Sequence, residues 1–90
     1  MTAALYGFAY SSQALAYLET RSPKERRQIV RKINGLASNP HPAGTRPLRG
    51  MRNEEERVYR IRSGDYRVLY VVRELEIVIL DIDHRKDVYR

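Results

Sequence analysis

The chain contains no cysteine. Disulfides and thiolate metal sites are therefore excluded, and a reducing compartment is consistent with that absence. No apolar run approaches the length of a membrane-spanning helix. The opening residues MTAALYGFAYSS lack the basic start and long apolar stretch of a secretory signal. A cytoplasmic protein that does not enter the membrane is expected. Histidine is scarce: His41 and His84 lie far apart and have no cysteine to complete a ligand spacing, so neither a metal nor a cofactor is expected. Lysine is scarcer than the charge suggests. Seventeen basic residues face eleven acidic ones, for a net charge of +6, yet only Lys24, Lys32 and Lys86 are lysines. The excess is arginine, whose planar, permanently charged fork suits phosphate oxygens. A chain of this charge is a nucleic-acid candidate on electrostatic grounds. A basic surface kept for solubility or for an acidic protein partner fits the composition equally well.

What is present fits one small domain over residues 1–90, with a thin core. The stretch ALYGFAY (4–10) reads as a first strand. Ser11 or Ser12 can cap a short helix over QALAYLET, with Ala14, Leu15 and Leu18 on one face. SPKE then gives a second helix start, with Ser22 as cap, Pro23 at the first helical position and Glu25 closing a capping box. That helix is expected to run to about Ala37, burying Ile29, Val30, Ile33, Leu36 and Ala37. Arg26, Arg27, Arg31 and Lys32 read as its solvated face. NPHPAGTRP (39–47) stops the helix and forms a loop, and RNEEE is a polar turn or strand edge. Three strands follow: Val58–Arg62, Tyr66–Val72 across a Ser63-Gly64-Asp65 hairpin turn, and Ile77–Ile82, whose apolar run suggests a central position. The expected fold is α+β with the order β-α-α-β-β-β. Its four-stranded, mostly antiparallel sheet would carry a helical hairpin on one face and leave the other open.

Alternation along the strands groups Val58 with Arg60 and Arg62, and Tyr66 with Val68, Tyr70 and Val72. It also groups Val78, Leu80, Ile82 and His84. Arg67 begins a row continued by Leu69 and Val71, where an unpaired guanidinium could not be buried. With Arg57, Arg60 and Arg62 before the hairpin and Arg85 after the last strand, several guanidiniums could converge. Their mutual repulsion would be relieved by a bound polyanion. A phosphate site is the physical reason for placing them there.

Three segments carry a resemblance: LRGM, YRIRSGDYRVLYVV and ILDIDHRKDVYR. In this order, on a basic chain, they resemble the RelE/ParE superfamily of bacterial toxin–antitoxin toxins, and its RelE side more closely. The resemblance covers nearly the whole chain. It implies a ribosome-dependent endoribonuclease that cuts mRNA and blocks translation without a metal. It also implies a cognate antitoxin that wraps the toxin, in a complex that can sit on operator DNA. It places the scissile phosphate on Arg67 and transition-state charge or leaving-group protonation on Arg85. Base stacking falls to Tyr89, and His84 takes a position that other members fill with a basic residue. The best-known RelE proteins carry lysines on the strand before the hairpin; here that strand offers Arg57, Arg60 and Arg62 instead. Guanidinium is a poor proton shuttle, so His84 is the natural substitute as proton carrier; Glu54, Glu55 and Glu56 are alternative carboxylates, though a run of three reads more readily as a solvated turn. The candidate catalytic set is Arg67, His84, Arg85 and Tyr89, with Arg57, Arg60, Arg62 and Lys86 as RNA contacts.

Two other readings stay open. ParE-like toxins share the fold and poison DNA gyrase without cutting RNA, though they generally lack the His/Arg…Tyr ending that HRKDVYR supplies. A degenerate toxin that only binds antitoxin and operator DNA is the third. Tyr59, Tyr66 and Tyr70 read as sheet and core residues, and His41 as an exposed loop residue.

Overall fold

A computed structural model describes residues 5–53 and 56–84 of the chain. β1 (Gly7–Tyr10) leads into α1 (Ser12–Glu19) and α2 (Pro23–Asn34), which ends in a 3₁₀ turn over Gly35–Ala37. Four strands follow: β2 (Arg46–Asn53), β3 (Glu56–Ser63), β4 (Tyr66–Arg73) and β5 (Glu76–His84). They form one sheet in the order β1-β5-β4-β3-β2. β1 runs parallel to β5, and the other neighbours are antiparallel. No helix among the described residues is long and apolar enough to cross a membrane.

The helix signals act as the sequence indicates. Ser22 and Glu25 form the reciprocal capping box: the Glu25 backbone N–H donates to Ser22 Oγ at 3.2 Å, and the Ser22 N–H donates to Glu25 Oε1 at 3.1 Å. Ser11 caps α1, accepting from the Ala14 N–H at 3.0 Å, while its own hydroxyl donates to the Leu80 carbonyl at 2.6 Å. One side chain thus starts a helix and pins it to β5. Ala14 and Leu18 of α1, Ile29 and Ile33 of α2, and Leu36 of the 3₁₀ turn are buried against Ile61, Val68, Tyr70, Ile77, Ile79 and Ile82 of the sheet. Burying a side chain of this size contributes roughly 1.5–3 kcal/mol.

Two expectations are corrected. The sheet has five strands, because RPLRGMRN pairs with β3 as β2. Pro47 cannot donate to a ladder and Gly50 weakens a strand, so the segment lacks strand character in sequence. It is accommodated because β2 is an edge strand, whose register with β3 also shifts between Pro47 and Arg52. The second correction concerns β5. Leu69 pairs with Asp81, but the next residue, Tyr70, pairs with Ile79. Leu80 is therefore an extra residue, and this β-bulge reverses the parity of the strand. Ile77 and Ile79, rather than Val78 and Leu80, share the helix-covered face with Ile82 and His84.

The outer face is not open along its whole length. Val58 and Val71 belong to it by alternation and are fully buried. At the hairpin end, Arg60 and Arg67 are half-buried and Arg62 is exposed.

Candidate nucleic-acid interface

The β3–β4 hairpin sets the site. Its turn depends on Gly64, which adopts φ 60° at the first central position, as a two-residue type II′ connection requires. Ser63 and Tyr66 close the turn as directly paired residues. The next pair outward is Arg62 with Arg67, and Arg60 follows two residues on, paired with Leu69 on one side and Arg46 of β2 on the other. Directly opposed residues share a face, with Cβ atoms about 4.5–5.5 Å apart. Arg46, Arg60, Arg62 and Arg67 therefore occupy one face, opposite the helices. Asp83 stands across from Arg67 on β5, and Asp81 across from Leu69.

β2 begins at Arg46, opposite Arg60, so β3 runs on from Ile61 to Ser63 without a β2 partner. A cavity of about 380 Å³ lies there, lined by Lys32, Ala43, Gly44, Arg46, Arg60, Ile61 and Arg62. Four of these described lining residues are cations and none is acidic. The loop that walls the cavity is fixed from below. The Tyr70 hydroxyl donates to the Pro40 carbonyl at 2.6 Å, and the His41 ring meets Tyr59 edge-on with centroids 4.6 Å apart. The Thr45 N–H donates to the Pro42 carbonyl at 3.0 Å, closing a turn in which Gly44 takes φ 92°. Gly at that third position permits a type II turn. The turn delivers the chain directly into Arg46.

His84 lies elsewhere. It pairs with Tyr66, and strand alternation sets it on the helix-covered face, across the sheet from Arg67. Its ring meets Tyr66 edge-on at 5.1 Å between centroids. The Tyr66 hydroxyl donates to Glu25 Oε2 at 2.6 Å. That bond, with the Ser22 backbone and hydroxyl contacts, holds the Glu25 carboxyl down at about 2. The same carboxylate, followed by burial, raises the Tyr66 pKa. Arg21 stacks over Tyr17 with its guanidinium carbon 4.5 Å from the ring centroid, and Tyr17 meets Tyr66 edge-on at 6.3 Å. His84 is thus the rim of an aromatic and ionic cluster that ties the start of α2 to the end of the sheet.

Of the residues singled out from sequence, Arg60, Arg62 and Arg67 come together. Arg57 does not: it is exposed, pairs with Arg52, and has the opposite parity to Arg60. Arg85, Lys86 and Tyr89 fall outside the described residues, as do Glu54 and Glu55. Glu56 is engaged at the far end of the sheet, where its Oε1 accepts from Arg73 Nε at 2.7 Å. Tyr66 and Tyr70 are core residues, and Tyr59 packs against the core. Lys32 and Arg46 are not evident from sequence. Lys32 looks like part of a solvated helix face and Arg46 like loop, and only the folding of the 39–45 loop over the end of β3 joins them.

The fold resembles that of known toxins. The chain is similar to the archaeal RelE in its complex with RelB from Pyrococcus horikoshii OT3, with 27% identity, a TM-score of 0.75, and coverage of 90% of this chain and 96% of that one. It is also similar to the RelBE2 toxin–antitoxin complex from Mycobacterium tuberculosis, with 27% identity, a TM-score of 0.71, and coverage of 90% and 99%. The intact E. coli RelBE complex shares the fold at 23% identity and a TM-score of 0.71, over 88% of this chain and 95% of that one. A comparison with curated proteins finds none that matches. The family model for the ParE toxin of the type II toxin–antitoxin system parDE matches residues 12–89. The chain belongs to this ParE toxin family, and with it to the RelE/ParE superfamily of toxins from toxin–antitoxin systems.

Proposed function

We propose that this toxin acts in the cytoplasm as a RelE-like endoribonuclease that cuts mRNA on the ribosome without a metal, and that a cognate antitoxin neutralises it. The observation that carries the reading is the cationic cavity beside the Arg62–Arg67 pair. Opposed guanidiniums repel one another, and a bridging phosphate removes that cost while gaining charge-assisted hydrogen bonds. The solved structures at 27% identity are both toxin–antitoxin complexes, which supports an antitoxin partner here, with operator DNA as a further partner of the pair.

In this reading the 2′-oxygen attacks the adjacent phosphorus, its proton passes to a base, and the P–O5′ bond breaks as the 5′-oxygen takes up a proton. Arg67 holds the non-bridging oxygens, fixed donors being most effective where charge develops. Arg85 shares that charge or protonates the leaving group, and Tyr89 stacks on a base. Arg60 and Arg62, with Lys86, hold neighbouring phosphates. His84 is not given the proton transfer: it packs against Tyr66 on the helix-covered face, across the sheet from Arg67, and no described residue is assigned that role.

Purified protein added to programmed ribosomes is expected to cut the message. Arg67→Ala and Arg85→Ala should each lower the rate by roughly 10²–10³, the usual effect of removing one transition-state donor. The family match to ParE toxins favours a second reading, inhibition of DNA gyrase. Intact message together with blocked supercoiling identifies that activity. An intact message with unimpaired supercoiling leaves a module that only binds antitoxin and DNA.

A further inference from the structure

The cationic cavity does not end at Lys32. The same lysine lines a second, larger cavity of about 570 Å³, whose wall includes Lys24, Arg27 and Arg31 of α2. The two cavities are neighbours along the chain as well: Pro42 and Ser63 line the larger one, Gly44 and Arg62 the smaller. Lys24, Arg27 and Arg31 stand three and four residues apart, so they share one face of the helix.

A basic helix face is ordinarily a solvated one, balanced by carboxylates one turn away. This one is not balanced. The only acidic residue of α2 is Glu25, and it is taken by Ser22 and the Tyr66 hydroxyl. Among the described residues, no carboxylate lines either cavity. Arg26 behaves differently from its neighbours and marks the contrast. It turns back to α1, where its Nε donates to the Leu18 carbonyl at 3.1 Å and an Nη to the Arg21 carbonyl at 3.0 Å. Acidic residues gather instead at the β4–β5 turn, where Glu56, Glu74 and Glu76 line a separate cavity. A molecule with its charge separated in this way orients a polyanion toward its basic side.

We infer that the α2 groove is a second phosphate-backbone site, continuous through Lys32 with the arginine cavity, so that one RNA strand occupies both. The inference rests on the nucleic-acid reading above and extends it from a single phosphate pocket to a track. The contacts are to backbone rather than bases, so the groove adds affinity and length dependence without sequence preference.

The test is fluorescence anisotropy with 2′-O-methylated single-stranded RNA, which cannot be cleaved by 2′-oxygen attack. A probe of about four nucleotides is compared with one of about twelve, spanning the common range of single-strand site sizes. In the triple variant Lys24→Gln, Arg27→Gln, Arg31→Gln, all three positions are exposed, so the fold is retained and a thermal melt verifies it. The long probe should bind the variant roughly tenfold more weakly at moderate salt. Its log–log salt slope should fall by about 2, at ~0.7 for each phosphate no longer neutralised. The short probe should bind as to the native protein. Arg60→Gln with Arg62→Gln should weaken both probes. If the native protein binds the two probes equally and the triple variant changes neither, the track is wrong while the arginine pocket stands. Binding of neither probe by the native protein overturns both. A triple variant that keeps its RNA affinity but loses affinity for an acidic antitoxin peptide overturns the track and assigns the groove to that peptide.

Discussion

Arg62 and Arg67 are directly opposed across the β3–β4 hairpin, one residue beyond the Ser63–Tyr66 pair that closes its turn. Two guanidiniums at that spacing on one face oppose folding unless something negative joins them. Asp83 stands opposite Arg67 on β5. A bound phosphate adds further negative charge beside the pair. Inorganic phosphate or a short oligonucleotide should therefore raise the melting temperature, by an amount that follows RT ln(1 + [L]/Kd). Arg62→Leu should abolish that ligand-induced shift while leaving the unliganded protein at least as stable as the native one. A thermal melt with and without phosphate checks both.

The hairpin that creates this pair depends on Gly64. At φ 60° a Cβ is strained, and a Cβ built there would lie 3.0 Å from Gln28 Nε2. Gly64→Ala should cost about 1–2 kcal/mol of stability, read from urea unfolding. An Ala variant of native stability would show that the turn has another conformation.

Tyr70 connects the core to the site. Its ring is fully buried and its hydroxyl holds the Pro40 carbonyl at the start of the loop that leads to Arg46. Tyr70→Phe keeps the packing and removes one neutral hydrogen bond, a loss of about 1 kcal/mol. The same variant should weaken RNA binding while Arg67 is untouched, because the loop wall of the cavity loosens. Parallel melts and binding isotherms separate the two effects.

The pH dependence of stability should carry the Glu25–Tyr66 bond at both ends. The Glu25 carboxyl is depressed to about 2 in the folded protein. Its contribution is therefore complete above the unfolded value near 4.3 and is lost as pH falls from there toward 2. Tyr66 has a raised pKa, so its contribution is complete below about pH 10 and is lost as pH rises through the folded value. Tyr66→Phe should flatten the stability profile at both extremes, and Glu25→Gln should flatten the acid limb. Unchanged acid limbs in both variants would contradict the assignment.

Much of this architecture is legible in the sequence because the signals are local. Ser22, Pro23 and Glu25 announce a helix start within four residues, and SGD between two β-rich runs announces the hairpin that opposes Arg62 to Arg67. What is not legible depends on distant residues. β2 is a strand only because β3 offers it an edge, and neither Pro47 nor Gly50 signals it. The Leu80 bulge changes which residues of β5 face the helices, and nothing in ILDID marks the extra residue. That parity puts Ile77 and Ile79 in the core and places His84 beside Tyr66 instead of beside Arg67. Lys32 and Arg46 come together only when the 39–45 loop folds over the end of β3. Tertiary contacts of this kind leave no periodic trace.

The most direct test of the central claim is primer extension on programmed ribosomes with the native protein and with Arg67→Ala. A new 5′ end within the message should appear with the native protein, and Arg67→Ala should reduce its rate of formation by roughly 10²–10³. An Arg67→Ala protein that cuts at the native rate would contradict the account, because the guanidinium face of the hairpin would then have no part in the chemistry.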